Sequence, residues 1–491
     1  MRPLRILEVS SEVAPFARTG GLGDVLGALP AALARQGHEV VVCMPKYKQV
    51  AGTGMKIIQL DWTVPIPVGD NQYNMTAGLS KNRRTRVTYC FVRNDRLFAR
   101  DELYRDVSTG NDYADNDERF IFFARSVIEA IKKRDWKPDI IHCHDWQAAL
   151  IPVYLESLYR NDPFFAGVKT VLTIHNLGYQ GVFPAETFKK IGVSDELFYA
   201  VTGPLEFFGK VNFLKGGVVM ADKISTVSHS YAKEIQSTDE FGAGLQDVLR
   251  SRSADLTGIV NGVDYTIWSP TRDKKIPYRY NLANLSGKKK TKIELINKAG
   301  LPVRDTTPLI GIISRLADQK GFDLMEEAAD GLFALDIQMI LLGTGDEKYH
   351  DLFTDLEKKY PDKLKIYLTF DDTLAHWIEA GADMFLMPSR YEPCGLNQLY
   401  SLKYGTVPIV RRVGGLADTV VDFDPATGNG TGFVFNEYSA NAMLEAVGRA
   451  VDFFPRKRPW MKLMKAGMKQ DFSWASSAIK YAELFDSLIS P

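Results

Sequence analysis

Two cations in the second half of the sequence stand where a diphosphate could bind. Arg315 and Lys320 lie in residues 314–321, which follow an apolar run and precede a predicted helix. In open α/β sheets, ligands bind at the carboxyl ends of strands, where both cations fall. A planar arginine fork and a compact lysine charge together suit a diphosphate, although either alone would more often be a surface charge. We therefore predict a phosphate-binding loop here.

Glu392 is the acid best placed to bind a sugar. It lies in residues 388–396, which again follow an apolar run and open a helix. A carboxylate can accept hydrogen bonds from sugar hydroxyls. The alternative is a first-turn acid that the helix dipole favours. The position beside the predicted phosphate loop favours sugar binding.

A glycine-rich turn near the N-terminus is a second candidate anion site. Residues 20–23 follow an apolar run at residues 4–9 and precede a predicted helix, so free N–H groups would point at a ligand. The alternative is that the glycines only allow close packing of helix and strand. Arg18, just before the turn, favours a phosphate. The spacing departs from G-x-G-x-x-G and no ribose-binding acid ends the next strand, which argues against an NAD enzyme.

Three of the seven histidines lie at the ends of predicted strands. His142 and His144, followed by Asp145, end one apolar run, and His175 follows the next. Histidine and aspartate are good zinc ligands. However, no H-E-x-x-H or C-x-x-C spacing supplies the ligand geometry. The sequence therefore predicts no metal site.

The elements that must position these residues alternate between short apolar runs and amphipathic stretches. Such runs predict parallel strands buried on both faces, and apolar spacings of three and four predict crossover helices at residues 120–131 and 146–159. The pattern lapses around residues 269–303 and then repeats. The predicted fold class is α/β, with two Rossmann-like, doubly wound domains. The predicted strands are residues 4–9, 39–44, 140–142, 170–174, 223–227, 309–313, 338–342, 363–368, 384–387 and 407–410.

The same pattern gives the predicted domain boundaries. An N-terminal Rossmann-like domain spans residues 1–270, a linker region spans residues 271–305, and a C-terminal Rossmann-like domain spans residues 306–473. Residues 474–491 form a last amphipathic helix. The lysine run at residues 288–290, in the linker, is predicted to be a solvated face rather than a phosphate site.

Composition excludes several classes of protein. A chain of 491 residues is too long for one ordinary core, and 60 basic residues balance 60 acidic ones, so no overall charge attracts nucleic acid or anionic membranes. No apolar run approaches the ~18 residues of a spanning helix. The four scattered cysteines predict neither zinc nor disulfides. We expect a bacterial-type cytosolic protein, or one of the plastid stroma or starch granule whose transit peptide has been removed.

Together these segments resemble the bacterial glycogen synthases and plant starch synthases of glycosyltransferase family 5. The resemblance covers nearly the whole chain. Residues 18–25, R-T-G-G-L-G-D-V, are similar to the family signature K-T-G-G-L-x-D-V. The other matching segments, in order, are His144-Asp145-Trp146, His175-Asn176-Leu177, Asn261-Gly262-Val263-Asp264 and residues 314–324, 388–396 and 414–420.

The resemblance implies a GT-B fold, in which two Rossmann-like domains face a deep interdomain cleft and the last helix crosses back to the first domain. It implies a retaining glucosyltransferase that transfers glucose from ADP-glucose to the non-reducing end of an α-1,4-glucan such as glycogen, starch or a maltooligosaccharide. ADP-glucose is then a substrate, and no cofactor, nucleic acid or membrane takes part. No glycosidase-like carboxylate pair is needed, because cations can stabilise a departing diphosphate.

The resemblance also implies residue roles. Arg315 and Lys320 would hold the diphosphate, Glu392 the hydroxyls of the donor glucose, and His175 would lie against the transferred sugar. These four are the predicted catalytic residues. The predicted substrate-binding residues are Arg18, Gly20 and Gly21 near the diphosphate, Asp24 and Asn261 lining the cleft, Phe370 beside the base, and Cys394, Gly395 and Leu396 beside Glu392.

Two positions depart from the family pattern, and two alternative functions stay open. Arg18 replaces a lysine and Phe370 replaces a tyrosine common in relatives, which preserves the charge and the aromatic face. The alternatives are a GT-B glucosyltransferase that uses UDP-glucose or another acceptor, and a non-catalytic glucan-binding relative. The second would be expected to lack the cations.

Overall fold

The computed structural model describes residues 2–199, 203–304 and 306–489, and the chain divides into two compact units. Unit 1 comprises Met1–Val227, Ala232–Gly262 and Trp474–Pro491, and unit 2 comprises Ser228–Tyr231 and Val263–Ser473. The main crossing into unit 2 therefore comes after Gly262, and residues 271–305 belong to unit 2 rather than to a separate linker.

Unit 1 is built on a mainly parallel sheet. Its order is β13-β12-β8-β7-β1-β2-β6, all parallel, with β5 added antiparallel to β6 and with β3 and β4 antiparallel to β5. A separate small antiparallel sheet has the order β10-β11-β9. The strands are β1 Arg5–Val9, β2 Glu39–Pro45, β3 Ile58–Gln59, β4 Val64–Val68, β5 Asn71–Lys81, β6 Thr88–Arg93, β7 Ile140–His144, β8 Lys169–Ile174, β9 Val182–Phe183, β10 Glu206–Phe207, β11 Lys210–Asn212, β12 Lys223–Thr226 and β13 Leu256–Gly258.

The chain starts in the middle of this sheet, builds outward through β2 to β6, and returns beside β1 as β7. The strand order therefore reverses between β1 and β7, and the crevice outside the carboxyl ends of these two strands is the expected ligand site of a doubly wound sheet. Both strands are buried along nearly their whole length, which explains their continuous apolar character.

The crossover helices of unit 1 pack on the faces of the sheet. The predicted helix at residues 120–131 is the middle of α3, whereas the helix predicted at residues 146–159 is two helices, α4 and α5, that meet at Ala149. The helices before the main crossing at Gly262 are α1 Gly21–Arg35, α2 Asp95–Phe98, α3 Asn116–Lys133, α4 Asp145–Ala148, α5 Leu150–Glu156, α6 Thr187–Ile191, α7 Glu196–Tyr199, α8 Phe213–Met220, α9 His229–Glu234, α10 Asp239–Gly242 and α11 Gln246–Ser251.

Unit 2 is a parallel sheet of the order β16-β15-β14-β17-β18-β19. The order reverses between β14 and β17, so the loops after these two strands are the expected ligand site. The strands are β14 Leu309–Ile313, β15 Gln338–Leu342, β16 Leu364–Tyr367, β17 Met384–Met387, β18 Val407–Arg411 and β19 Phe433–Phe435.

Helices cover both faces of this sheet, and a short 3-10 turn, Asp318–Lys320, lies in the loop after β14. Among the described residues, no helix combines the length and apolar character needed to cross a membrane. The remaining helices are α12 Ser286–Ala299, α13 Phe322–Glu327, α14 Ala329–Ala334, α15 Glu347–Lys359, α16 Asp372–Gly381, α17 Asn397–Tyr404, α18 Gly414–Thr419, α19 Ala440–Phe453, α20 Lys457–Met468 and α21 Trp474–Ile489.

The prediction of a solvated lysine run is wrong for one face of α12. Lys288 and Lys292 are buried one helical turn apart, whereas Lys289 and Lys290 are exposed. The ammonium of Lys288 donates to Ala380 O at 3.1 Å and to Thr406 Oγ1 at 2.6 Å. Burial lowers its pKa to about 7. Charge alone did not reveal that α12 packs against α16.

The last helix, α21, belongs to unit 1 and packs against α1. Gly262, in the N-G-V-D segment, lets Trp474, the first residue of α21, pack directly against it, since a Cβ at position 262 would lie 2.6 Å from the Trp474 backbone. Ser477 Oγ then donates to Val260 O at 2.8 Å. Part of this segment of the family pattern therefore has a packing role.

Candidate active site

In unit 2, Lys320 and Glu392 form a shielded ion pair at the carboxyl ends of β14 and β17. Lys320 Nζ donates to Glu392 Oε2 at 2.7 Å, and Ser389 Oγ donates to the same oxygen at 3.0 Å. The Glu392 side chain is 7% exposed and that of Lys320 is 18% exposed. Two predicted catalytic residues, from loops far apart in sequence, thus meet here.

Backbone contacts join the two loops that carry this pair. Arg390 N–H donates to Gln319 O at 2.9 Å, and Gln319 Nε2 donates to Tyr391 O at 3.2 Å. Gly321 has a φ of +72°, and a Cβ there would lie 2.1 Å from Pro388 O. Only glycine allows this approach, so the glycine after Lys320 fixes the lysine loop against the glutamate loop.

The G-G-L-A-D-T segment supports Glu392 from the other side. Gly415 N–H donates to the carbonyls of Glu392 and Pro393, both at 3.1 Å. A Cβ at Gly414 would lie 2.0 Å from Glu392 O, and one at Gly415 would lie 2.0 Å from Cys394 O. These glycines hold the glutamate loop through its backbone.

The other predicted residues of unit 2 lie around these loops. Arg315 is exposed near the start of the lysine loop, Cys394 is buried, and Gly395 has a φ of +71°. Leu396 is the residue before α17. Phe370 is 77% exposed in the loop after β16. The contact of Phe370 with the nucleotide base stays a prediction.

Several further residues shape this site, although they were not predicted from the sequence. Arg390 pairs with Asp323 at 3.0 Å, and Tyr438 OH donates to the other oxygen of Asp323 at 2.5 Å. A Cβ at Gly343 would lie 1.9 Å from Ser314 O. The G-T-G sequence after a buried strand was a usable signal for the glycine, whereas nothing local marked the Asp323 contacts.

In unit 1 the glycine-rich turn is partly occupied by the protein's own carboxylate. Glu12 accepts hydrogen bonds from Thr19 N–H at 2.5 Å, from Thr19 Oγ1 at 2.8 Å and from Gly20 N–H at 3.3 Å. Tyr104 OH adds another at 2.9 Å. The expectation that the N–H groups of this turn are open to an anion is therefore wrong for Gly20. Gly21, the first residue of α1, is exposed.

Arg18 and Asp24, both predicted to bind substrate, contact each other. Arg18 Nη1 lies 2.6 Å from Asp24 Oδ1, and both side chains are more than a third exposed. A Cβ at Gly23 would lie 2.5 Å from Arg18 Cβ, so this glycine allows the turn to bring Arg18 close to α1. Asn261, in contrast, is buried, and its Oδ1 has no hydrogen-bond partner among the described residues.

Beyond this turn, a buried network joins β1, β7 and the loop after β8. Glu8 Oε2 lies 2.8 Å from His142 Nδ1 and 2.8 Å from His144 Nε2. His144 Nδ1 lies 2.9 Å from Nε2 of half-buried His175. The ligand atoms of Glu8, His142 and His144 all lie within 4.8 Å of one another, but their 2.8 Å contacts are hydrogen-bond distances. The prediction of no metal site stays untested.

The side chain of Asp145 binds the backbone of the loop that carries His175. Its φ of +56° is unusual for a residue with a side chain, and its carboxylate accepts from His175 N–H at 2.7 Å. Burial raises its pKa to about 7. The strained β7–α4 turn therefore aims a carboxylate at the loop that carries His175.

Comparison with known proteins identifies the family. Residues 5–251 match the family described as starch synthase catalytic domain, and residues 294–452 match glycosyl transferases group 1. The chain is 48% identical to a glycogen synthase of Koribacter versatilis over 98% of each chain. It is 46% identical to one of Pseudothermotoga lettingae over 99% of each. The chain belongs to the glycogen and starch synthase family.

Solved structures agree with this assignment. The catalytic domain of starch synthase IV from Arabidopsis thaliana, bound to ADP and acarbose, superposes with a TM-score of 0.89 and 31% identity over the full length of both chains. Sucrose-phosphate synthase from Thermosynechococcus elongatus, with a TM-score of 0.61 and 17% identity over 99% of each chain, shares the fold. The GT-B fold class is confirmed, and so is the prediction of a glucan-elongating glycosyltransferase.

The histidine network of this glycosyltransferase predicts a loss of stability on the acid side. Burial lowers the pKa of His144 from 6.5 to about 4, and burial with the nearby His144 and His142 lowers the pKa of His175 well below 6.5. Below pH 6.5 these two histidines bind protons in the unfolded chain but stay neutral in the folded chain, so protonation favours unfolding. Between pH 6.5 and 4, we expect His144 alone to cost about 3 kcal/mol of unfolding free energy.

Chemical denaturation at several pH values measures this loss. Glu8 affects the free energy of unfolding only at lower pH. Burial raises the pKa of its carboxyl, but the two histidines outweigh this effect and lower the pKa to about 2. Its contribution to stability is therefore lost only as the pH falls from 4.5 to 2. His144→Gln should flatten the slope between pH 6.5 and 4.5. An equally steep slope in that variant would contradict the assignment to His144.

Proposed function

We propose that this glycosyltransferase transfers glucose from ADP-glucose to the non-reducing 4-hydroxyl of an α-1,4-glucan, with retention of configuration. The observation that carries the proposal is the Lys320–Glu392 pair at the switch point of unit 2. A lysine and a carboxylate there offer a cation to a phosphate and an acceptor to sugar hydroxyls. In the absence of substrate the two groups neutralise each other.

The donor chemistry needs cations more than it needs a nucleophile. We assign Arg315 and Lys320 to the diphosphate and Glu392, with the backbone of Cys394–Leu396, to the donor glucose. As the bond to the sugar breaks, negative charge develops on the diphosphate, and fixed cations stabilise it. The departing phosphate takes the proton of the attacking hydroxyl. This scheme requires neither a metal ion nor an organic cofactor.

Unit 1 supplies the remaining assigned groups. We assign His175 to the transferred sugar, Arg18 to the donor phosphates, and the exposed Gly21 to the same phosphates through its backbone N–H. The presence of ADP and acarbose on the related plant starch synthase supports ADP-glucose as donor and a glucan as acceptor. Asp24 then releases Arg18 when the donor binds, because a doubly charged phosphate competes with one carboxylate.

Radiolabelled transfer to glycogen, with ADP-glucose and UDP-glucose in parallel, tests the donor. We expect a higher kcat/KM with ADP-glucose, in buffer that contains a metal chelator. An equal or higher kcat/KM with UDP-glucose would replace the proposed donor. Loss of activity that returns only with added metal would overturn the metal-free chemistry.

Replacing Arg18 tests its assignment to phosphate. A charge-assisted hydrogen bond is worth about 1.5–3 kcal/mol, so Arg18→Ala should lower kcat/KM at least tenfold. Arg18→Lys keeps the charge but not the fork, and should lose less. Asp24→Asn, which removes the carboxylate that contacts Arg18, shows how much of any loss comes from breaking this ion pair. Unchanged kinetics in a folded Arg18→Ala would remove Arg18 from the site.

A further inference from the structure

Polar side chains cross the core of unit 1 in one row of close polar contacts. It starts at Ser225 on β12, whose Oγ lies 2.5 Å from Thr173 Oγ1, and continues with Thr173 Oγ1 lying 2.6 Å from His142 Nε2. His142 Nδ1 and His144 Nε2 both lie 2.8 Å from Glu8 Oε2, and of these two contacts only that of His144 has hydrogen-bond geometry; His144 in turn contacts His175. Every member except half-buried His175 is fully buried. The row thus leads from the core to one side chain at the sheet edge.

The carboxylate of Glu8 sets the direction of the hydrogen bonds toward His175. An ionised carboxylate only accepts, so His144 Nε2 must carry a proton to bond Glu8 Oε2 at 2.8 Å. A neutral His144 then has a lone pair on Nδ1. The 2.9 Å contact between this nitrogen and His175 Nε2 requires the proton on His175. The remaining nitrogen of a neutral His175, Nδ1, is left as an acceptor.

We propose that Glu8 is a positioning residue that, through His144, fixes His175 as the Nε2-protonated tautomer with Nδ1 directed to accept a hydrogen bond from a sugar hydroxyl. The part of this inference that concerns the sugar rests on the proposed function. Among the described residues, no hydrogen-bond partner of His175 Nδ1 is found, which leaves this atom for a ligand.

Protonation states agree with this arrangement. The pKa of Glu8 is held at about 2, because the histidines outweigh the effect of its burial, so it is ionised at neutral pH. Burial lowers the pKa of His144 to about 4 and that of His175 also falls. Both rings are neutral, so each has one donor and one acceptor nitrogen.

The second branch of the row offers a matched control. Thr173 contacts His142 but does not lie between Glu8 and His175. Thr173→Val removes a buried hydroxyl while keeping a side chain of similar size. Glu8→Leu removes the carboxylate that His144 contacts. If the proposal holds, only Glu8→Leu alters His175, although both substitutions disturb the same buried row.

Nitrogen-15 NMR of histidine-labelled full-length protein reads the tautomers directly. Signals are assigned by comparison with His144→Gln and His175→Gln. In the unsubstituted protein we expect His175 as a single neutral tautomer with the proton on Nε2. In Glu8→Leu we expect a mixture with the Nδ1-protonated form, and in Thr173→Val the original form. Thermal melts show whether each variant is folded.

A Nδ1-protonated or charged His175 in the unsubstituted protein at pH 7 overturns the proposal, even if Glu8→Leu does not fold. So does an unchanged tautomer in folded Glu8→Leu. Stoichiometric zinc in the purified protein also overturns it, because a metal on His144 Nε2 would replace the required proton.

Kinetics separate this inference from the proposed function. We expect kcat for glucose transfer to fall at least tenfold in Glu8→Leu and less than threefold in Thr173→Val. A tautomer shift in Glu8→Leu without loss of kcat would support the role of Glu8 but remove His175 from the transfer step. Loss of kcat without a tautomer shift would overturn the positioning role and leave the proposed function intact.

Discussion

Lys320→Met should lower kcat/KM for glucose transfer at least a hundredfold, which corresponds to about 3 kcal/mol of transition-state stabilisation. Lys320 is the least exposed cation of the candidate site. Its ammonium is fixed by the ion pair with Glu392, at the end of the loop after β14. If it stabilises the departing diphosphate, its loss acts mainly on kcat. Steady-state kinetics with ADP-glucose and glycogen measure the effect.

Lys348→Met is the matched control for this substitution. Lys348 also pairs with one carboxylate near the same loop, Asp318 at 2.5 Å, but its side chain is 59% exposed. We expect its kcat/KM to stay within threefold of the unsubstituted enzyme. A folded Lys320→Met with a similarly small loss would show that the buried ion pair is structural.

Glu392→Gln should also lower kcat at least a hundredfold. The amide keeps the size of the side chain but loses the charge that accepts from Lys320 and Ser389 and, in the proposed function, from donor hydroxyls. We expect the affinity for ADP to change less than threefold, because ADP lacks the donor glucose that Glu392 is assigned to bind. Calorimetric titration of ADP alongside kinetics separates the two properties.

Asp323→Asn provides the comparison for Glu392→Gln. Asp323, in α13, is another carboxylate close to these loops, bound to Arg390 and Tyr438 rather than to Lys320. Its substitution should leave kcat within about threefold. A large rise in the dissociation constant of ADP with intact transfer in Glu392→Gln would contradict the assignment of Glu392 to the sugar.

These two expectations are not independent, because the side chains touch. The loss in the double variant Lys320→Met, Glu392→Gln should therefore be smaller than the product of the single losses. Each single variant also leaves its partner without a counter-charge in a shielded position, which has its own cost in stability. Melting temperatures of all three variants separate that cost from the effect on transfer.

Much of the secondary structure could be predicted because its signals are local. The strands predicted at residues 309–313, 338–342 and 384–387 coincide with β14, β15 and β17. A parallel strand covered on both faces needs an unbroken apolar run, and that run is visible without knowledge of its neighbours. The break between α4 and α5 was missed because the apolar spacing continues through Ala149.

The lysine run and the glycine turn show where local signals fail. Lys288 is buried because α12 packs on α16 and brings it to acceptors at Ala380 and Thr406, about a hundred residues away in sequence. The turn at Gly20 resembles an open anion site, yet Glu12 accepts hydrogen bonds from the N–H groups of Gly20 and of Thr19 just before it. Both outcomes depend on which other segment packs against the lysine run or the turn in the folded protein. The local sequence does not show that packing.

The types of side chain at the strand ends could be predicted from the sequence, since the order of strand, turn and helix is set by neighbouring residues. Lys320, Glu392 and His175 were all found in this way. Which of these side chains meet depends on how the strands pair. Lys320 and Glu392 are 72 residues apart, and Glu8 and His144 are 136 apart. Their contacts follow from the pairing of β14 with β17 and of β1 with β7, and strand pairing is settled only when the whole sheet assembles.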